Sequence, residues 1–165
     1  MHKIRISIFS TIFFLALFTG AKAQEIPNSI KILHNILTSD CGYEYNKKVT
    51  RASPKDVLVY TKYRSFVTVG FDGKGVRSGT VYFKDGCNIE KAVKALAAIY
   101  AILQIRMGKQ LPDKHNAGLK GRRLLDTVTH NLKLLDKTKF FFDDLMVTAK
   151  KYPTDKAFSI RLIPW

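Results

Sequence analysis

The stretch DVLVYTKYRSFVTVGFDGKGVRSGTVYFKDG, residues 56–86, decides the predicted fold. Valine, threonine and aromatic residues recur along it with a period near two, which is typical of β-strands. The Asp-Gly pair at residues 72–73 supplies the positive φ values that a tight hairpin turn requires, and a second Asp-Gly pair indicates another turn. The sequence therefore predicts strands over about 57–62, 66–71 and 76–84.

A long helix is predicted after the second turn, from about residue 89 to residue 107. Asn88 is a suitable N-cap because its side chain can accept from free helical N–H groups, and Gly108 is a typical stop signal. Residues 95–105 are apolar nearly all round, which indicates that this helix is central to the core. Its clearest buried stripe comprises Val93, Leu96, Tyr100 and Leu103.

Two further helices are expected, one before the β-rich stretch at residues 56–86 and one after the long helix at 89–107. A short one ends near Thr38, where apolar residues recur at helical spacing, and a polar loop follows over 42–55. A second good helix covers about 121–137, after a Gly-, Lys- and Pro-containing loop over 108–121.

The end of the chain predicts one more strand. Residues 157–163 alternate apolar and polar side chains, whereas 139–151 begin with a β-like run of phenylalanines and continue with helix-like residues. The predicted fold class is therefore α+β. It has a three- to four-stranded antiparallel sheet that is packed on one face by two main helices, 89–107 and 121–137.

Residues 1–23 have the features of a cleavable signal peptide. A short positive start precedes an apolar run that ends at Phe18, and an A-x-A cleavage pattern occupies residues 21–23. The run is shorter than the ~20 apolar residues that span a bilayer, so no stable membrane anchor is expected after cleavage. We expect residues 24–165 to form a single globular α+β domain that is secreted or periplasmic.

The charge of the expected mature chain favours an anionic partner. Of the 28 Lys and Arg residues, three lie in residues 1–23, so 25 remain against 13 Asp and Glu. Such an excess attracts polyanions such as nucleic acid, anionic lipid or acidic polysaccharide, and it also keeps an exported protein soluble. The sequence leaves the oligomeric state open.

A local cluster of cations makes the best candidate binding site. It lies in a loop and the start of the helix that follows, where positive charge is unfavourable next to the helix dipole. An ordinary solvated surface is the alternative, because runs of charge are usually solvated. The predicted anion-binding residues are Lys109, Lys114, Lys120, Arg122, Arg123 and Lys133.

The two cysteines, Cys41 and Cys87, are predicted to form a disulfide. Exported proteins fold in an oxidising compartment, where two cysteines most economically pair. The alternatives are a catalytic thiol and half of a metal site. Neither cysteine has the surroundings of a known nucleophile, and the sequence has no C-x-x-C pair.

The sequence offers little for catalysis. His34, His115 and His130 follow the signal peptide, and two histidines with a lysine could cleave RNA if they met in space. No G-x-S-x-G, S-x-x-K or H-E-x-x-H motif is present, so no catalytic residue, metal or cofactor is predicted.

The favoured interpretation is thus a small, basic, exported binding protein without enzymatic activity. Its partner would be an anionic polymer or surface, or another protein, as for an inhibitor, an immunity protein or a secreted effector. A small secreted hydrolase of the nuclease type is the alternative. Aromatic residues that could stack on single-stranded nucleic acid, or serve only in packing, are Tyr43, Tyr45, Tyr60, Tyr63 and Phe66.

Overall fold

A computed structural model describes residues 30–52, 56–110 and 112–165, and within them are four α-helices and seven strands. The helices are α1 Lys31–Asn35, which continues as a π-helical segment Ile36–Asp40, α2 Lys47–Ala52, α3 Ile89–Arg106 and α4 Lys114–Leu134. The strands are β1 Glu44–Tyr45, β2 Val57–Lys62, β3 Ser65–Asp72, β4 Gly75–Lys84, β5 Lys137–Phe142, β6 Leu145–Tyr152 and β7 Ala157–Pro164.

The strands form one antiparallel sheet in the order β1-β2-β3-β4-β7-β6-β5. The chain makes a first meander, β2-β3-β4, passes through the helical pair α3 and α4, and then makes a second meander, β5-β6-β7. The two meanders join in the middle of the sheet, where β4 pairs with β7 and Val81 lies opposite Ile160.

Both long helices pack against the same face of this sheet. Successive residues of a strand point to opposite faces, and those that point to the helices are fully buried, among them Val67, Val81, Val147 and Ile160. The predicted stripe of α3 is buried as expected, comprising Val93, Leu96, Tyr100 and Leu103. The core therefore lies between the sheet and the two long helices.

Two glycines allow the layers to approach closely. A Cβ atom at Gly79 would lie 2.4 Å from Cγ2 of Ile99, so the absence of a side chain lets α3 rest directly on β4. A Cβ atom at Gly121 would lie 2.9 Å from that of Ala97 and 3.1 Å from the carbonyl oxygen of Val93. The α3–α4 contact thus depends on small residues.

The predicted fold class, α+β, is confirmed, but the predicted sheet of three to four strands with two main helices is wrong. The largest error concerns residues 139–151, which form a hairpin. Leu145, Val147 and Ala149 alternate into the core, so burial on one face overrides the helical preference of leucine, alanine and lysine. The hairpin turns at Asp143, whose φ of 43° is one that aspartate tolerates.

Smaller errors concern the predicted loops. The short elements β1 and α2 lie inside 42–55, where too few residues repeat for a period to be visible. Helix α4 begins at Lys114, within the predicted 108–121 loop, because the Asp113 side chain accepts a hydrogen bond from the Asn116 N–H at 2.9 Å and caps the helix.

The predicted signal peptide, residues 1–23, lies outside the described residues, so its cleavage and the export of the chain stay predictions. None of the described helices has both the length and the apolar character that a membrane span requires.

Candidate functional site

Most of the predicted cation cluster lies on α4, in the helix layer. Arg122, Arg123 and Lys133 are exposed on the outer surface of α4, and Lys114 is exposed at its first residue. Among the described residues none of these four forms an ion pair. Their role in anion binding stays a prediction.

The other two predicted cations are neutralised by the turn between β5 and β6. Lys109 forms an ion pair with Asp144, and Lys120 Nζ donates to Oδ2 of Asp143 at 2.8 Å. Tyr100 donates a further hydrogen bond to the same Oδ2 atom at 2.7 Å. Burial acts to raise the pKa of Asp143, but the hydrogen bonds from Lys120 and Tyr100 outweigh it and lower that pKa. These contacts fix the second hairpin to the helix layer.

Two of the three described histidines lie far apart on one helix. His115 and His130 stand in the first and last parts of α4, and fifteen residues of helix separate them by roughly 22 Å along the axis. His34 lies on α1, where Nδ1 is 3.0 Å from the Tyr60 hydroxyl and its ring packs edge-on against Tyr45. Burial lowers the pKa of His34. His115 and His130 are therefore too far apart to act on one phosphate as acid and base.

Both cysteines are free thiols in the structure. Cys41 is fully buried, and burial, with a smaller contribution from Asp40, raises the pKa of its thiol to about 11. Burial likewise raises the pKa of Cys87, which is partly exposed. The disulfide between them stays a prediction.

The face of the sheet that points away from α3 and α4, here called the open face, has a different composition from the core. It presents the strand residues that alternate with the buried ones. Those that line its depressions in the middle of the sheet include Phe66, Thr68, Tyr82, Thr148, Lys150 and Ser159. Hydroxyl-bearing, aromatic and cationic side chains are therefore more frequent here than in the core, and a few aliphatic ones such as Val59 remain.

A groove of about 700 Å³ crosses the open face on the side of the first meander. Val49 of α2 and Val59 line one end, and Ala157 lines the other, next to the turn at residues 153–156. Phe66 and Tyr82 stack within it, with ring centroids 3.7 Å apart and planes at 17°.

A second depression of about 430 Å³ lies beside the groove and shares Thr68, Tyr82 and Tyr152 with it. The ring of Tyr152 is 6.0 Å from that of Tyr82, so the aromatic row continues from one depression into the other. Burial raises the pKa of Tyr82, and the neighbouring Tyr152 makes a smaller contribution in the same direction. The Tyr82 hydroxyl is therefore protonated at neutral pH and able to donate a hydrogen bond.

The second depression is cationic. Its four basic residues are Arg77, Lys137, Lys150 and Arg161, and no carboxylate is among its lining residues. Arg77 is paired with Asp56 at the rim. The other three are exposed, and within the described part of the chain they form no ion pair.

Two of these cations stand directly opposite each other. Lys137 of β5 and Lys150 of β6 are Cα partners in the strand register. Like charges at such positions destabilise a sheet. The arrangement therefore costs stability unless an anion lies between the two ammonium groups.

Only part of this site can be recognised along the chain. Phe66 is among the aromatic residues predicted to be available for stacking and does line the groove, whereas Tyr43 and Tyr60 are buried in the core. The cations of β5, β6 and β7 are far from one another along the chain, so their positions there do not indicate one site. Their alternation with buried residues identifies them only once β5 and β6 are recognised as strands.

The described residues contain no group of three or more His, Cys, Asp or Glu side chains that could hold a metal ion. Comparison of this chain with protein families, with curated proteins and with solved structures gives no match.

Proposed function

We propose that this chain is a small exported binding protein, secreted or periplasmic, and that it binds an anionic partner on the open face of its sheet. The observation that carries the proposal is the set of three unpaired cations on neighbouring strands, Lys137, Lys150 and Arg161, beside an aromatic groove. An anion placed among them would relieve the repulsion between Lys137 and Lys150 and would face no carboxylate of the second depression.

The open face suits this role better than the outer surface of α4. The α4 cations Arg122, Arg123 and Lys133 project from a single convex helix, whereas the open-face cations line a depression. A concave site surrounds more of a ligand and removes more of it from water. The open face also places aromatic rings next to the charges.

The proposal is tested by removing two charges from each surface in turn. The first variant carries Lys150→Gln and Arg161→Gln, and the second carries Arg122→Gln and Arg123→Gln, so both have the same net charge. Binding to heparin is measured at several salt concentrations. We expect the first variant to bind heparin more weakly. The slope of log K against log salt should also become shallower by about two, since each lost ionic contact reduces its magnitude by about one.

The second variant separates the two surfaces. We expect it to bind heparin nearly as well as the unmodified protein, because its charges lie on the other side of the molecule. A larger loss in the Arg122/Arg123 variant would place the site on α4 and reject the open face. Absence of salt-dependent binding in the unmodified protein would reject an anionic partner altogether.

A further inference from the structure

The open face separates into an apolar half and a cationic half that meet at shared residues. The surface of the groove is mainly apolar, with side chains such as Val59, Phe66 and Ala157. Its charged lining residues are Lys62, Arg64, Lys84 and Asp155. The second depression has no carboxylate among its lining residues and contains Lys137, Lys150 and Arg161, which form no ion pair within the described part of the chain. Tyr82 and Tyr152 belong to both, so one ligand placed along the aromatic row would touch both halves.

The aromatic row offers surfaces on which flat groups can stack. Phe66 is 38% exposed, which leaves part of its ring accessible beside Tyr82. Tyr152 is partly exposed at the other end of the row, and Lys150 Nζ lies 5.1 Å from the centre of its ring. Planar rings stack favourably on such aromatic faces with little dependence on their identity.

The uncharged polar side chains that line the two depressions all carry hydroxyls. Besides the Tyr82 hydroxyl, those that line the two depressions belong to Thr61, Ser65, Thr68, Ser78, Thr80, Thr148, Tyr152 and Ser159. A hydroxyl both donates and accepts, and it rotates to suit its partner. Such a surface can form hydrogen bonds with many ring edges and sugar oxygens without selecting one.

From this arrangement we infer that the ligand of the open face is a single-stranded nucleic acid, with bases on Phe66, Tyr82 and Tyr152 and phosphates at the cations of β5, β6 and β7. The inference rests on the proposed function and names its ligand. Each nucleotide combines a flat ring with an anionic group, which matches the adjacent apolar and cationic halves. In a duplex the bases stack on one another, so their faces could not reach these rings.

Other anions match the site less well. An acidic polysaccharide has no flat rings and would leave the aromatic row without a partner. An anionic lipid would leave its long acyl chain in water, because the groove lies open along the sheet surface. A single strand needs no enclosed cavity, since it binds along grooves that combine cations with stacking rings.

The first test varies the ligand. Fluorescence anisotropy compares a labelled oligothymidylate of about ten nucleotides with an abasic oligomer of the same length and charge, with the corresponding duplex, with heparin, and with vesicles of anionic phospholipid. We expect the oligothymidylate to bind most tightly. Equal binding of the abasic oligomer or of heparin would overturn the inference and leave the proposed function standing.

The remaining ligands give separate outcomes. Binding to the vesicles but not to the oligothymidylate would identify a lipid ligand and overturn the inference. Preference for the duplex would also overturn it, because stacking on the open face would then have no role. Binding to none of the five probes would reject the inference and the proposed function together.

The second test varies the protein. Phe66→Leu and Tyr152→Leu each remove an aromatic face and keep an apolar side chain, and Tyr63→Leu is the matched control. Tyr63 is 73% exposed in the β2–β3 turn and lines neither depression. We expect each groove variant to bind oligothymidylate about 5- to 100-fold more weakly, the range for loss of one base–aromatic stack.

Heparin binding provides the control for folding of these variants. Both groove variants should bind heparin as the unmodified protein does, since their cations are intact, and Tyr63→Leu should affect neither ligand. Unchanged oligothymidylate binding by both groove variants would overturn the inference. The comparison of abasic and complete oligomers remains decisive even if a variant fails to fold, because it uses the unmodified protein.

Discussion

The contact between α3 and α4 predicts opposite effects for the same substitution at two glycines of one helix. Gly121 faces α3, and a Cβ atom there would lie 2.9 Å from the Ala97 Cβ, 3.1 Å from the Val93 carbonyl oxygen and 3.3 Å from the Ala97 Cα. Gly118 lies one turn earlier, and a Cβ atom there would have no neighbour within 4 Å among the described residues. Both glycines are interior residues of α4.

The expected free energies follow from two opposing terms. Alanine is better than glycine in a helix interior by about 1 kcal/mol. At Gly118 this gain is unopposed, so Gly118→Ala should stabilise the fold by about 0.5–1 kcal/mol. At Gly121 the clashing atoms are backbone atoms or are fixed to the backbone, so the helices must separate. Such overpacking costs about 1–3 kcal/mol, and Gly121→Ala should be neutral to destabilising by about 2 kcal/mol.

The two variants are compared by urea unfolding followed by circular dichroism. We expect the free energy of unfolding of Gly118→Ala to exceed that of Gly121→Ala by about 0.5–3 kcal/mol, which corresponds to a few degrees in Tm for a chain of this size. Equal stabilisation by both substitutions would refute the reasoning, because it would mean that α3 and α4 do not approach closely at Gly121.

Two further predictions concern titration and redox state. The Arg106 guanidinium donates two hydrogen bonds to the Asp72 carboxylate and holds its pKa at about 2, below the ordinary 3.8. This ion pair therefore contributes its full stabilisation above about pH 4, and the contribution is lost as the pH falls through about 2. Asp72→Asn should therefore lower Tm at pH 7. Thermal melts should show the difference in Tm between the variant and the unmodified protein shrink towards pH 2. A difference in Tm that persists at pH 2 would exclude the ion pair as its cause. The redox prediction concerns protein recovered from an oxidising compartment. We expect its Cys41 and Cys87 to resist alkylation in denaturant until a reductant is added. Alkylation of both cysteines without a reductant would show that the predicted disulfide does not form.

The parts of the fold that could be predicted from the sequence are those in which local preference and burial agree. Strands β2, β3, β4 and β7 are rich in β-branched and aromatic residues, and the turn at Asp72 has the glycine that a tight turn requires. Helix α3 combines an Asn88 cap with a continuous apolar stripe, and both are present in the structure. In each case a few neighbouring residues suffice to specify the element.

The second hairpin could not be predicted because its local preferences disagree with its final structure. Residues 145–151 favour a helix when taken alone, and they form β6 because β5 and β7 flank them on both sides. The turn before β6 uses Asp143 in a left-handed conformation and contains no glycine, so the usual hairpin signal is missing. Without this hairpin, neither the seven-stranded sheet nor its open face could be derived.

The same long-range pairing explains why the clusters of charge in the sequence and in space differ. Lys109 and Lys120 stand close to other cations along the chain, but the turn at residues 143–144 brings a carboxylate to each. Lys137, Lys150 and Arg161 are far from one another along the chain, but their strands are neighbours in the sheet and their side chains line one depression. A residue's neighbours in space therefore decide whether its charge is neutralised or left for a ligand, and in both cases those neighbours depend on where the β5–β6 hairpin lies in the fold.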